Sequence, residues 1–428
     1  MKIIEKASNF PVLNNILIFS VVLYAFLIPI YNGPIVLFLW VLLWFLTGGF
    51  IFRFRKIVHS TPAYLFFIFL LFQLCGLTFS EDISAGLSKI SKSMLLLLFP
   101  VLIIGDKELI LKHIKKILLS FVAGNFIAVI LCLIIACCNV FKEVVYSDAL
   151  FSYSSLLSSA KEFFYYKEFS YFMHPSYFAV LTNLAVVSVF FLIKQQYYPV
   201  KGIKYLYFFF ILAFVAAIYL LSSRAGIITF FIIMIIEIIY YFKPKKILLL
   251  FFLLIFIAGT FLVFNQYNSR IKLIYRGLSE FKNEEIHKSQ TGYINSSRIR
   301  LLIWAYSLEV IEDNFWTGTG TGGARYELVK LYNKYNIENL KKRKQNPHNQ
   351  FMEIFIELGI SGFILMLLIF ILPFIIAVKR KNHLLVLFLI IMSINLFFES
   401  MWNRQEGLIT YAFYFNLFYL MNKREESN

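Results

Sequence analysis

Along most of this chain, apolar blocks of about twenty residues alternate with short polar turns, the pattern of repeated membrane crossings. The blocks fall at 14–32, 34–52, 62–79, 86–104, 114–138, 170–193, 203–221, 225–242, 246–264, 351–378, 382–398 and 406–421. This spacing predicts an all-α, polytopic integral membrane protein with about 12 transmembrane helices. Lys89 and Lys92 interrupt the fourth block. Parity still requires it, because the basic turns Arg53–Lys56 and Lys112–Lys116 belong on one side and two spans must lie between them. One long polar segment, 265–350, breaks the rhythm. Helical spacing predicts three short helices in it: Arg270 to Phe281, Ile299 to Val310, and Ala324 to Arg343. Their amphipathic faces suit a cap lying on the membrane surface. The chain divides into helices 1–9 (1–264), one large helical extracytoplasmic loop (265–350), and helices 10–12 with a cytoplasmic tail (351–428). A second outer segment, 139–169, is rich in Ser, Phe and Tyr and is expected to lie beneath that cap.

Composition agrees. Of 428 residues, 60% are hydrophobic, 50 are Phe and only 15% are charged. A soluble fold could not hide so much apolar surface. The net charge of +17 suggests nucleic acid, but the distribution excludes that reading. Lys and Arg number 20 in one alternating set of turns and 7 in the other, with 14 in the long loop, which accounts for all 41. The richer set marks the cytoplasm, so both termini are cytoplasmic and the loop faces outward. The first block lacks a small-residue cleavage site and reads as an uncleaved helix. Against its 14 cations the loop holds 8 acids, an excess of 6 that invites an anionic ligand or lipid headgroups. Cys75, Cys132, Cys137 and Cys138 all lie in apolar blocks and read as packing residues.

Candidate chemistry gathers on the outer side. His348, in Pro347-His348-Asn349, immediately precedes a span. An imidazole held there can take a proton from an attacking hydroxyl, or it can simply start the helix. Arg224, in Ser222-Ser223-Arg224-Ala225-Gly226, sits where two spans meet. Its fork of donors suits phosphate oxygens, although an interface anchor would look the same. Arg298 and Arg300 open the second loop helix, where the macrodipole disfavours cations. They could hold a phosphate with backbone N–H groups or form a solvated face. The run Thr317-Gly318-Thr319-Gly320-Thr321-Gly322-Gly323 follows no strand, so a hinge or tight turn is favoured over a phosphate cradle. Lys341 to Lys344 reads as a solvated run. The four aspartates form no Asp-x-Asp pair, and no Walker loop appears. Neither a carboxylate-held metal nor ATP is expected, and no cofactor is implied.

Several short elements, in this order, resemble the O-antigen ligase and polymerase superfamily of bacterial envelope proteins. They are Ser223-Arg224-Ala225-Gly226, Arg300-Leu301-Leu302-Ile303-Trp304, Phe315-Trp316-Thr317-Gly318-Thr319-Gly320, and Pro347-His348-Asn349-Gln350 followed by Glu357-Leu358-Gly359-Ile360-Ser361-Gly362. His174-Pro175-Ser176-Tyr177 resembles a further element. The resemblance implies inverting transfer of a glycan from a polyprenyl diphosphate carrier to an acceptor hydroxyl of a glycan, lipid or protein. It implies that this happens at the outer face of the bacterial inner membrane, without nucleotide or metal. Carried over, His348 is the base. Arg224 and Arg300 neutralise the diphosphate, with Arg298 competing for the second place. His174, Asn349 and Trp304 are candidates for positioning substrate. The rival reading is a transporter, either a glycolipid flippase or a small-anion carrier. A carrier would concentrate ionisable groups at mid-depth, whereas Glu237, the clearest acid within a span, lies near its cytoplasmic end.

Overall fold

The computed structural model describes residues 11–31, 33–58, 60–146, 159–160, 162–241, 296–335, 337, 340–341 and 344–421. Its helices are α1 (Pro11–Leu27), α2 (Pro34–Leu46), α3 (Phe50–Val58), α4 (Thr61–Leu77), α5 (Ile83–Ser93), α6 (Leu95–Gly105), α7 (Lys107–Tyr146), α8 (Tyr166–Phe169), α9 (Pro175–Lys194), α10 (Ile203–Leu221), α11 (Arg224–Tyr241), α12 (Ser296–Asp313), α13 (Gly323–Lys334), α14 (Gln350–Lys379), α15 (His383–Phe398) and α16 (Gln405–Tyr419). A 3₁₀ turn, Met401–Asn403, joins the last two. No strand occurs among the described residues. Helices α2, α4 and α9 each carry Pro in the first turn, where its missing N–H leaves no bond unmade.

The chain is a multi-pass membrane protein. Among the described residues, five helical segments are long and apolar enough to cross a bilayer, or six if the bent pair α2–α3 counts as one. Helices α1, α4 and α15 are apolar but shorter. Every predicted block that falls within the described residues carries a helix. The ninth block, 246–264, lies outside the described residues, as do Arg270 to Phe281 and the stretch 147–158 of the second outer segment.

The centre belongs to α9 and α16, which are buried on nearly every side. Lipid tails are as apolar as leucine, so hydrophobicity alone cannot tell one helix from another here. Polar pairs between helices supply that discrimination. Asn183 Nδ2 donates to the Gly226 carbonyl at 3.0 Å, and Asn395 Nδ2 to Thr229 Oγ1 at 3.1 Å. Helix α10, by contrast, leaves Tyr205, Phe208, Phe209 and Leu212 exposed on its outer face.

Four features differ from the sequence pattern. The second block does not run straight through 34–52. Thr47-Gly48-Gly49 ends α2, both glycines take positive φ, and α3 leaves at 114°. Arg53 explains the bend: it is buried against Asp106 at 2.7 Å and Thr47 Oγ1 at 2.8 Å, which a continuous span would not allow. Lys112, Lys115 and Lys116 occupy no turn but the first turns of α7, a 40-residue helix about 60 Å long. The two described loop helices do not lay their apolar faces on the membrane. Ile303, Tyr306 and Val310 of α12 pack with Leu328 and Tyr332 of α13 and Ile356 of α14 in a second small core. Finally, α13 ends at Lys334, well short of Arg343.

The Thr-Gly run is no hinge either. It threads between the C-terminal end of α4, the start of α5 and a break in α14. Gly359 has φ 62 and ψ −163 there, so its neighbours' carbonyls are released from the helix. The run takes them up. Thr319 N–H donates to Ile356 O at 2.8 Å and Gly320 N–H to Glu357 O at 2.9 Å. On the other side Thr321 N–H donates to Gly76 O at 3.1 Å, and its hydroxyl to Gln73 O at 2.6 Å.

Contacts among the turns sort into two sets. Arg53–Asp106, Lys56–Glu108, Lys194–Tyr240 and Glu237–His383 join one group of helix ends. Thr321–Gln73, Ser222–Tyr165, Lys330–Glu81 and the His348 cluster join the other.

Candidate functional site

The site forms where α14 begins. Asn349 caps this helix: its Oδ1 accepts from the N–H groups of Phe351 at 3.0 Å and Met352 at 3.1 Å. His348, one residue earlier, has φ +49, an uncommon conformation for a residue with a Cβ. Three contacts hold it. Its N–H donates to Asn346 Oδ1 at 3.2 Å. The carbonyl of Pro347 accepts from Trp304 Nε1 at 3.0 Å. Its ring lies between Glu399, with Oε1 3.0 Å from Nδ1, and Gln345, with Oε1 2.7 Å from Nε2.

Arg300 and Trp304 stand four residues apart on α12 and so share one face. Trp304 reaches the Pro347 carbonyl and packs its ring against Phe397 at 5.5 Å. The Arg300 guanidinium donates to Phe398 O at 3.0 Å and contacts Glu399 Oε2 at 3.4 Å. Glu399 therefore bridges the imidazole and the guanidinium, one oxygen to each.

Burial opposes the charge of Glu399. The hydrogen bond from His348 and the nearby Arg300 guanidinium outweigh it and hold this carboxyl below the usual range. An ionised carboxylate only accepts, so Nδ1 of His348 carries the hydrogen and Nε2 holds the lone pair of the neutral ring. The Gln345 amide can present N–H to that lone pair or C=O to a protonated ring. Nε2 is thus the atom able to receive a proton.

His174 caps α9, its Nδ1 accepting from Ser176 N–H at 3.4 Å. Burial first, and then the charges of Arg404, Lys167 and Arg300, push it down to about 4 despite the opposing pull of Glu399. It is neutral at physiological pH. Tyr166 packs edge-on against His174 with ring centroids 6.2 Å apart. Burial raises its phenol, and the charges of Arg300, Glu399 and Arg224 all act on it. Arg224, at the exposed start of α11, is thereby within electrostatic reach of the same cluster. Nearby, Ser222 Oγ donates to Tyr165 Oη at 2.7 Å.

The structure thus brings together His348, Arg300, Trp304 and His174, with Arg224 on the near side. The side chain of Arg298 lies outside the described residues, as does His287. Asn349 spends its side-chain oxygen on the helix cap and touches the site through the backbone of His348. Sequence reasoning missed Glu399, Gln345 and Arg404. The signal for Glu399 was available: a carboxylate ends an apolar block, where water or a cation must meet it.

Residues 208–367 match the family model described as O-Antigen ligase. The match bears out the resemblance to the O-antigen ligase and polymerase superfamily. It spans Arg224, Arg300, Trp304 and His348, and leaves His174 and Glu399 outside. No curated protein matches the chain.

Proposed function

We propose, from the superfamily signature across 208–367 and the arrangement around His348, that the protein transfers a glycan from a polyprenyl diphosphate to an acceptor hydroxyl with inversion at the sugar carbon. The acceptor oxygen gives its proton to His348 Nε2 as it attacks the sugar. The bond from sugar to phosphate breaks on the opposite face, and the diphosphate departs with its electron pair. Arg300 and Arg224, with Arg298 as a further candidate, offset the charge that develops on it. Glu399 fixes the tautomer and orientation of the imidazole, and the step needs neither nucleotide nor metal. Trp304 and His174 shape the walls of the site. The reaction takes place at the outer face of the bacterial inner membrane, with loop 265–350 above the spans and both termini in the cytoplasm.

The observation that carries this reading is the Glu399 carboxylate shared by His348 and Arg300. A proton acceptor and an anion-binding group are thereby held side by side at one end of the helix bundle. The test is purified protein in lipid vesicles with a polyprenyl-diphosphate glycan, an acceptor and no ion gradient. Wild type consumes the donor, and His348→Ala, folded and inserted normally, does not. Transport of the intact donor without its consumption would overturn the reading in favour of a carrier.

A further inference from the structure

Lys89 and Lys92 interrupt an apolar block, and the reaction above gives them no task. Both are accounted for by a buried network one helical turn below the site. Lys89 Nζ lies 2.8 Å from Glu353 Oε1 and 2.7 Å from Glu357 Oε1, and all three residues are at most 6% exposed. The other oxygen of Glu353 accepts from Asn403 Nδ2 at 2.8 Å. Lys92 Nζ donates to the Asn403 carbonyl at 3.1 Å. One turn earlier on α14, Gln350 Oε1 accepts from Trp402 N–H at 2.7 Å.

These contacts form a ladder. His348 meets Glu399, Gln350 meets Trp402, and Glu353 meets Asn403. The start of α14 and the segment 399–403 are laced together over three successive steps, and the imidazole–carboxylate pair is the outermost. Buried ion pairs add little net stability, because desolvation offsets their attraction. Their retention at this depth therefore calls for a geometric explanation. Glu353 also has two distinct partners, which a simple counter-ion would not need.

We propose that Glu353 is a positioning residue: by holding Asn403 with one oxygen and Lys89 with the other, it sets the separation of His348 and Glu399. Lys89 is the cation that lets this carboxylate remain buried, and Lys92 steadies the far side of the Asn403 peptide. The proposal rests on the site described above but concerns its assembly rather than its substrate.

The experiment uses full-length protein with ¹⁵N-labelled histidine in lipid nanodiscs. The His348 imidazole signal is assigned by its loss in His348→Ala, and Glu399→Gln gives its position when the carboxylate is gone. Glu353→Leu and Asn403→Leu are then compared, the second cutting only the tie to 399–403. Both variants are expected to shift the His348 signal toward that of Glu399→Gln. Both should lower kcat at least tenfold with the donor KM within twofold. A His348 signal unchanged in a folded variant overturns the proposal. If Glu353→Leu does not fold, Asn403→Leu decides by the same reading. Wild-type protein that leaves the donor untouched would instead refute the proposed reaction, and the His348 signal would still judge the positioning role.

Discussion

Glu399 has two oxygens and gives each to a different site residue, so its removal would disturb the base and the guanidinium together. The arginines differ in placement. Arg300 donates to Phe398 O and contacts Glu399, and Arg224 stands at the exposed head of α11. A guanidinium binds two phosphate oxygens at once through a planar fork, and an ammonium cannot. Arg224→Lys should therefore cut kcat/KM for the donor by about tenfold or more, the loss of roughly one charge-assisted hydrogen bond. Steady-state kinetics in lipid vesicles would measure it, and an unchanged kcat/KM would remove the bidentate contact. At this scale the sequence was informative where local spacing carried the message. Arg300 and Trp304 lie one helical turn apart, and His348 precedes an apolar block. Glu399 was not legible in that way. Its partners lie 51 and 99 positions away, and pairing at that distance is a property of packing rather than of neighbouring residues.

Among the elements, the broken helix α14 and the Thr-Gly run depend on each other. Gly359 interrupts the helix, and the run satisfies the carbonyls this frees. A Cβ on Gly318 would lie 2.5 Å from the backbone C and O of Glu357, and its φ is +72. Gly202 has φ +87 but nothing within 4 Å. The pair separates conformational strain from steric conflict. Gly202→Ala should cost about 1–2 kcal/mol for the left-handed backbone alone. Gly318→Ala should cost about 1–3 kcal/mol more, because rigid backbone must move. Thermal unfolding in detergent compares them, and equal losses would show that the run is not wedged against α14. The sequence announced a turn here but could not say that its glycines serve close approach, since the opposing backbones come from Gly76 and Glu357. Lys89 is a similar case. It reads as a flaw in a span until its counter-charges appear on Glu353 and Glu357, two acids one turn apart in an otherwise apolar helix.

Over the whole molecule, alternation of apolar blocks and basic turns forecast a succession of apolar helices, and each block within the described residues carries one. What it did not forecast was the lateral order of the helices. That order rests on a few buried polar pairs, such as Asn183 with Gly226 and Asn395 with Thr229. Lateral packing brings the head of α12, the head of α14 and the tail of α15 to one place, and Glu399 is where they meet. The most direct test is the transfer rate of purified Glu399→Ala in lipid vesicles, with folding checked independently. An imidazole that has lost its orienting carboxylate should turn over about 100-fold more slowly or worse. Wild-type turnover by that variant would contradict the account.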